Sequence, residues 1–141
     1  MNQWEFIDSV GFLRGFPKNL PKFILGQGYG ALLATRFLQH RADFFEGAMV
    51  INPLYAFKEK FGGMQLAMMK AKIFMDPYQI VSLKLDSDSQ ALQDHASKID
   101  SLHYFDWQLS HFMSTIEEQK ETLAKMKEIS TPTLMVLSDK D

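Results

Sequence analysis

The residues of this sequence best placed to do chemistry are three alternating glycines, Gly26, Gly28 and Gly30. They separate a short apolar run, Phe23–Leu25, from an amphipathic pattern that begins at Tyr29. A glycine turn between a strand and a helix can form a phosphate-binding loop, a dinucleotide-binding turn or a nucleophile elbow. A P-loop needs lysine followed by serine or threonine after its second glycine. Here alanine and two leucines follow, which excludes that site.

A dinucleotide-binding turn is the second candidate. Its pattern, G-x-G-x-x-G or A, is met by Gly26, Gly28 and Ala31, and its glycines let the backbone approach a pyrophosphate at the helix N-terminus. Such a site normally has an acidic residue about 20 residues further on, at the end of the next strand, that binds the ribose hydroxyls. That strand here ends in Asn52-Pro53. A domain that binds NAD or FAD at this turn therefore stays an alternative.

The third candidate is the nucleophile elbow, G-x-S-x-G, in which small residues on either side of the nucleophile allow a sharp turn from strand into helix. Gly26 and Gly30 occupy the two flanking positions, and Gly28 stands where the serine would be. Glycine has no attacking atom, and the turn contains no serine, threonine or cysteine. Glycine does adopt freely the strained backbone of a nucleophile position, which costs other residues about 1–3 kcal/mol. The pattern predicts an elbow without its nucleophile.

The wider context resembles the α/β-hydrolase family, in particular its monoacylglycerol lipase and serine aminopeptidase S33 branch. That branch has P-x-F-L-x-G-H-S-M-G-G, then a helix, then F-x-G-x-V-L-x-x-P. The corresponding runs here are Pro21–Ala31 and Phe45–Pro53. A second block, Ile129–Asp141, resembles the family's I-x-x-P-x-L-x-L-x-G-x-x-D. The resemblance spans most of the chain, although its specific letters lie in these blocks.

The resemblance implies a serine-hydrolase triad of which this sequence carries only part. It places Asp141 at the position of the triad acid and the backbone N–H of Tyr29 at one donor position of the oxyanion hole. The family's histidine base follows the acid, beyond a further strand, so we expect it to be missing from these 141 residues. We therefore expect a catalytically inactive chain, in which replacing Gly28 by serine does not restore activity. No cofactor and no metal site are expected.

Histidines elsewhere in the chain are the remaining candidates for a general base. One falls at the predicted end of a helix and three within a predicted insertion, so we interpret all of them as surface or structural residues: His40, His95, His103 and His111.

Apolar periodicity predicts the elements that position the glycine turn. A helical face from Tyr29 to about His40 joins the run Phe23–Leu25 to a second run, Ala48–Ile51, which indicates a βαβ crossover with parallel strands that are buried on both faces. A third strand is predicted over Thr133–Leu137. An N-terminal helix is predicted from apolar residues at every third position: Trp4, Ile7, Val10 and Leu13.

The predicted fold class is α/β, a single partial α/β-hydrolase domain with a parallel sheet, flanking helices and a helical cap insertion. The elbow region covers residues 1–56, the cap-like insertion 57–128, and the strand leading to the acid position 129–141. Three parallel strands alone leave apolar faces and edges uncovered, so we expect either a protein partner that completes the sheet or a chain that is an incomplete product of a longer or degraded reading frame.

A last amphipathic helix is predicted near the end of the insertion, with its apolar positions at Ile116, Leu123 and Met126. Its charged residues are interpreted as a solvated face: Glu117, Glu118, Lys120, Glu121, Lys125 and Lys127.

The charge balance gives no argument for nucleic acid as a partner, since the net charge is -2 and no run of like charges occurs. Without cysteine the chain has no disulfide framework and no thiolate metal site, which fits a reducing compartment. The first residues lack the basic and apolar regions of a secretory signal. The sequence therefore predicts an intracellular, cytoplasmic protein.

The most apolar stretch, Phe61–Met75, is interrupted by Lys70 and Lys72 and is shorter than the roughly 20 residues that cross a bilayer. We expect it to pack against the domain, with peripheral contact of an amphipathic helix on a membrane as the alternative. Four methionines are expected in the core, with an acyl-chain pocket or a partner surface as alternatives: Met64, Met68, Met69 and Met75.

These features together predict a degenerate α/β-hydrolase-like pseudoenzyme that resembles lipid-ester hydrolases, with an acylglycerol or other ester as the implied ligand. A scaffold or interaction subunit of a larger assembly is the first alternative. A dinucleotide-binding domain is the second.

Overall fold

A computed structural model describes residues 15, 17, 19–57, 60–81 and 107–138. The N-terminal helix expected around Trp4, the histidines His95 and His103, and the expected acid Asp141 lie outside these residues. The elements are, in chain order, β1 (Phe23–Gln27), α1 (Tyr29–His40), β2 (Gly47–Ile51), α2 (Gly63–Met75), β3 (Ile80–Val81), β4 (Trp107–Gln108), α3 (Leu109–Ala124) and β5 (Thr133–Val136). Two short 3-10 turns cover Ala42–Phe44 and Met126–Glu128.

The main sheet has three parallel strands in the order β1-β2-β5. Leu25 pairs with Met49, and Met49 in turn pairs with Leu134. Helix α1 connects β1 to β2, so the βαβ crossover, the parallel direction and the third strand are all confirmed. The parallel sheet with its flanking helices confirms the α/β fold class.

One face of this sheet packs against α1. Ala31 and Ala34 of the helix form a buried cluster with Val50 of β2, and Ile24 of β1 packs against that cluster. Two alanines at helical spacing allow the helix backbone to lie close to the strands, which stabilises the approach through many short dispersion contacts. This packing fixes the start of α1 against β1 and β2, and it thereby positions the turn between β1 and α1.

The opposite face of the sheet is largely exposed, and the expectation that the strands are buried on both faces is wrong here. Phe23 and Leu25 of β1 are 71% and 67% exposed, and Leu134 and Val136 of β5 are exposed as well. Partners in a parallel register point to the same side, so these four side chains share one face. An apolar run alone cannot show which face of a strand is exposed. It shows which side chains could be buried, but not whether another element covers them.

The chain divides into two compact units, residues 1–58 with 116–141, and residues 59–115. Helix α3 crosses the boundary. The second unit is not helical throughout, since β3 and β4 pair in antiparallel fashion. In that unit the rings of Phe61 and Phe112 pack edge to face at 5.3 Å. The domain limits expected from the sequence stay a prediction.

Helix α2 differs most from its expectation. The side chain of Gln65 stabilises its start by accepting a 2.8 Å hydrogen bond from the Gly62 N–H. None of its residues is buried, and Met64, Met68 and Met75 are exposed, so the expectation that these methionines form a core is wrong.

Within the described ranges no helix is long and apolar enough to span a membrane.

The charged residues of α3 are not all solvated, as the sequence pattern had indicated. Glu118 is only 3% exposed and its carboxylate lies 2.7 Å from Nε of the equally buried Arg36 in α1, whereas Glu121, 53% exposed, contacts the same guanidinium at 2.7 Å. Leu123, expected on the apolar side, is exposed. Because Arg36 supplies a buried positive charge on the neighbouring helix, the second half of α3 buries the polar residues Glu118, Gln119 and Thr122, whereas its first half buries mostly apolar residues.

Candidate functional site

Gly28, at the centre of the turn between β1 and α1, has a backbone conformation that would be strained for a residue with a side chain. Gly28 has φ 56° and ψ -119°, in the half of conformational space that side-chain-bearing residues rarely adopt. A Cβ atom placed on Gly28 would meet no atom within 4 Å. The turn therefore holds its central residue in a strained conformation, with open space where a side chain would begin.

The two flanking glycines do not have equal roles. A Cβ on Gly26 would lie 2.7 Å from the Cα of Ala31 and closer still to the carbonyl oxygen of Gly30. A Cβ on Gly30 would meet nothing within 4 Å. Gly26 is thus required by the close approach of strand and helix, and Gly30 is not.

Backbone hydrogen bonds hold Gly28 in place. Its N–H donates to the carbonyl of Ile51 at 2.9 Å, and its own carbonyl accepts from the N–H of Leu54 at 3.0 Å. The same carbonyl accepts from Ala31 and Leu32 in the first turn of α1, at 3.2 and 3.3 Å. The end of β2 and the loop after it therefore fix the position of the turn.

That loop is itself anchored by side chains. Gln119 of α3 donates through Nε2 to the carbonyl of Leu54 at 3.0 Å. The hydroxyl of Thr35 donates to the carbonyl of Ala31 at 2.7 Å and lies 2.8 Å from the hydroxyl of Tyr55, from which it can accept. Burial raises the pKa of Tyr55, against the smaller opposing effect of the hydrogen bond with Thr35. Both hydroxyls are thus engaged in hydrogen bonds, and the raised pKa keeps the phenol of Tyr55 protonated and neutral.

Asn52 joins the ends of two strands, a role that the sequence reasoning missed. Its N–H donates to the carbonyl of Val136 at 2.8 Å, and its side-chain Oδ1 accepts from the N–H of Ser138 at 2.5 Å. Its φ is 42°, and it is the one non-glycine residue with positive φ among those the structure describes. Asparagine after a buried strand was a usable signal, because asparagine tolerates this conformation better than most residues.

The carboxyl ends of parallel strands meet at one edge of a sheet, where α/β proteins place their sites. The structure brings Gly28, Asn52 and Ser138 to this edge through the ends of β1, β2 and β5. Asp141 follows Ser138 by three residues in the sequence but lies outside the described residues. Its role as the acid, and the role of the Tyr29 N–H as an oxyanion donor, stay predictions.

The two described histidines have lowered pKa values. For His40 burial is the main cause, helped by the charges of Arg36 and Lys125, and for His111 burial is the cause. Both imidazoles are neutral at neutral pH as a result. His40 ends α1, and a rise of 1.5 Å per residue places it about 16 Å along the helix axis from Tyr29. His40 is therefore not a base for the glycine turn.

Two observations bear on metal and dinucleotide binding. Among the residues that the structure describes, no group of three or more histidine, aspartate and glutamate side chains could hold a metal ion. A dinucleotide-binding turn directs backbone N–H groups at a pyrophosphate. The N–H of Gly28 instead donates to Ile51 within the sheet, which counts against the dinucleotide alternative.

Comparisons with known proteins agree with the geometry. A family model described as serine aminopeptidase, S33, matches residues 5–141. The fold is similar to the crystal structure of the Paleococcus ferrophilus monoacylglycerol lipase, with a TM-score of 0.72 and 21% sequence identity over 95% of this chain and 52% of the lipase. The chain thus spans about half the length of that lipase. No curated protein sequence matches.

Proposed function

This chain belongs to the serine aminopeptidase S33 family, and from that premise we propose that it is a family member without hydrolase activity. The fold and the family resemblance inferred from the sequence are confirmed by the comparisons. The loss of activity is our own inference. The observation that carries it is Gly28 with the geometry around it, and the expected lack of a histidine base is a second defect.

The supporting observation is a strand-to-helix turn whose central residue, Gly28, has a backbone conformation that favours glycine and no side chain. Gly28 has the strained φ and ψ of the turn and open space at its Cβ position. Acyl transfer through a covalent intermediate needs a side-chain oxygen or sulfur at this point. Thr35 and Tyr55 offer hydroxyls, but these contact each other and the backbone of α1.

The ligand class follows from the family and not from a measured contact. The similar structure is named a monoacylglycerol lipase, and we propose an acylglycerol or a related ester as the ligand of this chain. Asp141 as the acid position and the Tyr29 N–H as an oxyanion donor belong to the same proposal.

We expect the purified chain to show no turnover of a short-chain ester or a monoacylglycerol and no labelling by a serine-directed fluorophosphonate. The matched control is Gly28→Ala, which cannot supply a nucleophile, and an active lipase of the family serves as the positive control. Rates and labelling of the wild-type chain should equal those of the alanine variant. Turnover above that control would show that another group performs the attack. The same assay tests whether Gly28→Ser remains inactive.

A second candidate function, an interaction subunit, is favoured by the exposed apolar face of the sheet. We propose that a protein partner adds strands or helices over Phe23, Leu25, Leu134 and Val136, whose exposure is unusual for parallel strands. An inactive hydrolase domain could act as a scaffold through this face.

Gentle purification followed by light scattering should therefore yield a complex heavier than the single chain. Replacing Phe23 and Leu25 together by serine should reduce it to the single chain, whereas Leu123→Ser, at an exposed leucine on α3, should leave the complex intact. A well-folded, monodisperse wild-type monomer would refute the interaction role.

A further inference from the structure

Sulfur occurs in this chain as methionine alone. The 141 residues contain nine methionines and no cysteine. Thiolates, which compete with thioethers for oxidants in most proteins, are therefore absent, and methionine is the side chain that a peroxide oxidises most readily here. The exposure of each thioether then decides which methionines react.

Exposure divides the described methionines into clearly different classes. Met64, Met68 and Met75 of helix α2 are 75%, 58% and 84% exposed. Met135 of β5 is 41% exposed, whereas Met113 of α3 is 5% exposed and belongs to the hydrophobic core. A small oxidant reaches the first three directly from solvent, but it reaches Met113 only when the structure opens locally. The most exposed thioethers among the described residues thus all lie on α2.

These three methionines also share one narrow side of the helix. They stand at positions i, i+4 and i+11, which at about 100° per residue places them within a sector of roughly 40°. The half-buried residues Leu66 and Ile73 lie on the opposite, inner side. Met64, Met68 and Met75 therefore form a stripe along the outer side of α2, which we call the methionine stripe.

We propose that the methionine stripe is a site of reversible oxidation, with hydrogen peroxide as the oxidant. A lone pair of the thioether sulfur attacks one peroxide oxygen, the O–O bond breaks, and a proton passes to the departing oxygen. The products are methionine sulfoxide and water, so the sulfur is oxidised and the peroxide is reduced. A methionine sulfoxide reductase that uses a dithiol as its reductant returns the thioether, and the dithiol becomes a disulfide as water is released.

Oxidation of the stripe changes the outer side of α2 without disturbing what the helix buries. Each sulfoxide replaces an apolar side chain by a polar one. None of the residues of α2 is buried, so the new oxygen meets water and leaves no buried polar group without a hydrogen bond. At Met113 the same reaction would place a polar oxygen in the core and destabilise the fold. The position of the stripe thus makes its oxidation compatible with a folded chain.

The test treats the full, folded chain with hydrogen peroxide and follows each methionine by peptide mass spectrometry. We expect the stripe to react at about the rate of free methionine and Met113 to react about tenfold or more slowly. In urea the rates should become equal, because unfolding exposes every thioether. Retention of the oxidised chain on a hydrophobic interaction column should fall while its urea midpoint stays unchanged. The reductases for the two sulfoxide epimers should together restore the retention.

Matched leucine variants separate the stripe from the other methionines. The triple substitution Met64→Leu, Met68→Leu and Met75→Leu keeps the apolar side chains and the helix propensity but removes the thioethers, so peroxide should no longer change the retention. Met135→Leu, at the less exposed methionine of β5, should respond to peroxide as the wild type does. Circular dichroism checks that each variant keeps its helices.

Oxidation of Met113 as fast as the stripe in the folded chain would overturn the proposal. Unchanged retention after full oxidation of the stripe would do the same, as would a triple leucine variant that still responds like the wild type. Protection of the stripe from peroxide until urea is added would also refute it, because these side chains would then be covered in solution.

Discussion

Gly26→Ala is expected to destabilise the folded chain by about 3 kcal/mol, near the upper end for overpacking. The new methyl group would overlap the Cα of Ala31 and the carbonyl oxygen of Gly30, which are backbone atoms that cannot rotate away. Relief requires the turn to open, and opening it weakens the hydrogen bonds that Gly28 makes with Ile51 and Leu54. Urea unfolding followed by circular dichroism measures the loss.

Gly30→Ala is the matched control, four residues further on in the same turn and chemically identical. Its methyl group meets nothing within 4 Å, and Gly30 lies in the first turn of α1, where alanine is favoured by up to about 1 kcal/mol. We therefore expect the two substitutions to shift stability in opposite directions. Equal destabilisation by both would contradict the close approach of strand and helix at Gly26.

Arg36→Leu is expected to cost about 3–5 kcal/mol, because it leaves a carboxylate buried without its counter-charge. Arg36 is 2% exposed, and Glu118 has lost nearly all of its contact with water. Arg36 also donates to Gln39 at 3.0 Å, and Gln39 donates to the carbonyl of Thr122 at 2.9 Å. The substitution thus loosens the contact of α1 with α3 as well, and thermal and urea unfolding should both report it.

Glu121→Gln is the control for this ion pair, since Glu121 contacts the same guanidinium from a half-exposed position. Water screens that contact, so its loss should cost about 1 kcal/mol or less. The double variant Arg36→Leu with Glu118→Leu should recover much of the stability, because no charge is then left buried. If the single and double variants are equally unstable, the effect comes from lost packing and not from the buried charge.

The local pattern of apolar residues was enough to predict the strands and the helix around the glycine turn. The switch from the apolar run at Phe23 to a helical period at Tyr29, and back to an apolar run at Ala48, predicts strand, helix and strand because each period reflects which side chains one element can bury. The strand near Thr133 followed from the same reasoning. The structure confirms all four elements.

The errors share a cause, which is that burial depends on neighbours that are distant in the sequence. The many charges of its own helix predict that Glu118 faces solvent, but Arg36, 82 residues earlier in the sequence, forms a buried ion pair with it. The apolar character of Met64 and Met68 predicts that they lie in the core, but both are exposed. Periodicity shows which residues share a face and not what that face meets.

The sequence alone determined the family, the succession of strand, helix and strand along the chain, and the alternating glycines of the turn, since these depend on residue types at short spacing. Only the tertiary structure decided that Gly26 is obligatory and Gly30 is not, because the difference is a contact between the strand and the first turn of the helix. It also decided that Asn52 joins two strand ends and that the outer side of α2 is exposed. Such facts arise from distances between segments, which no local pattern of residues contains.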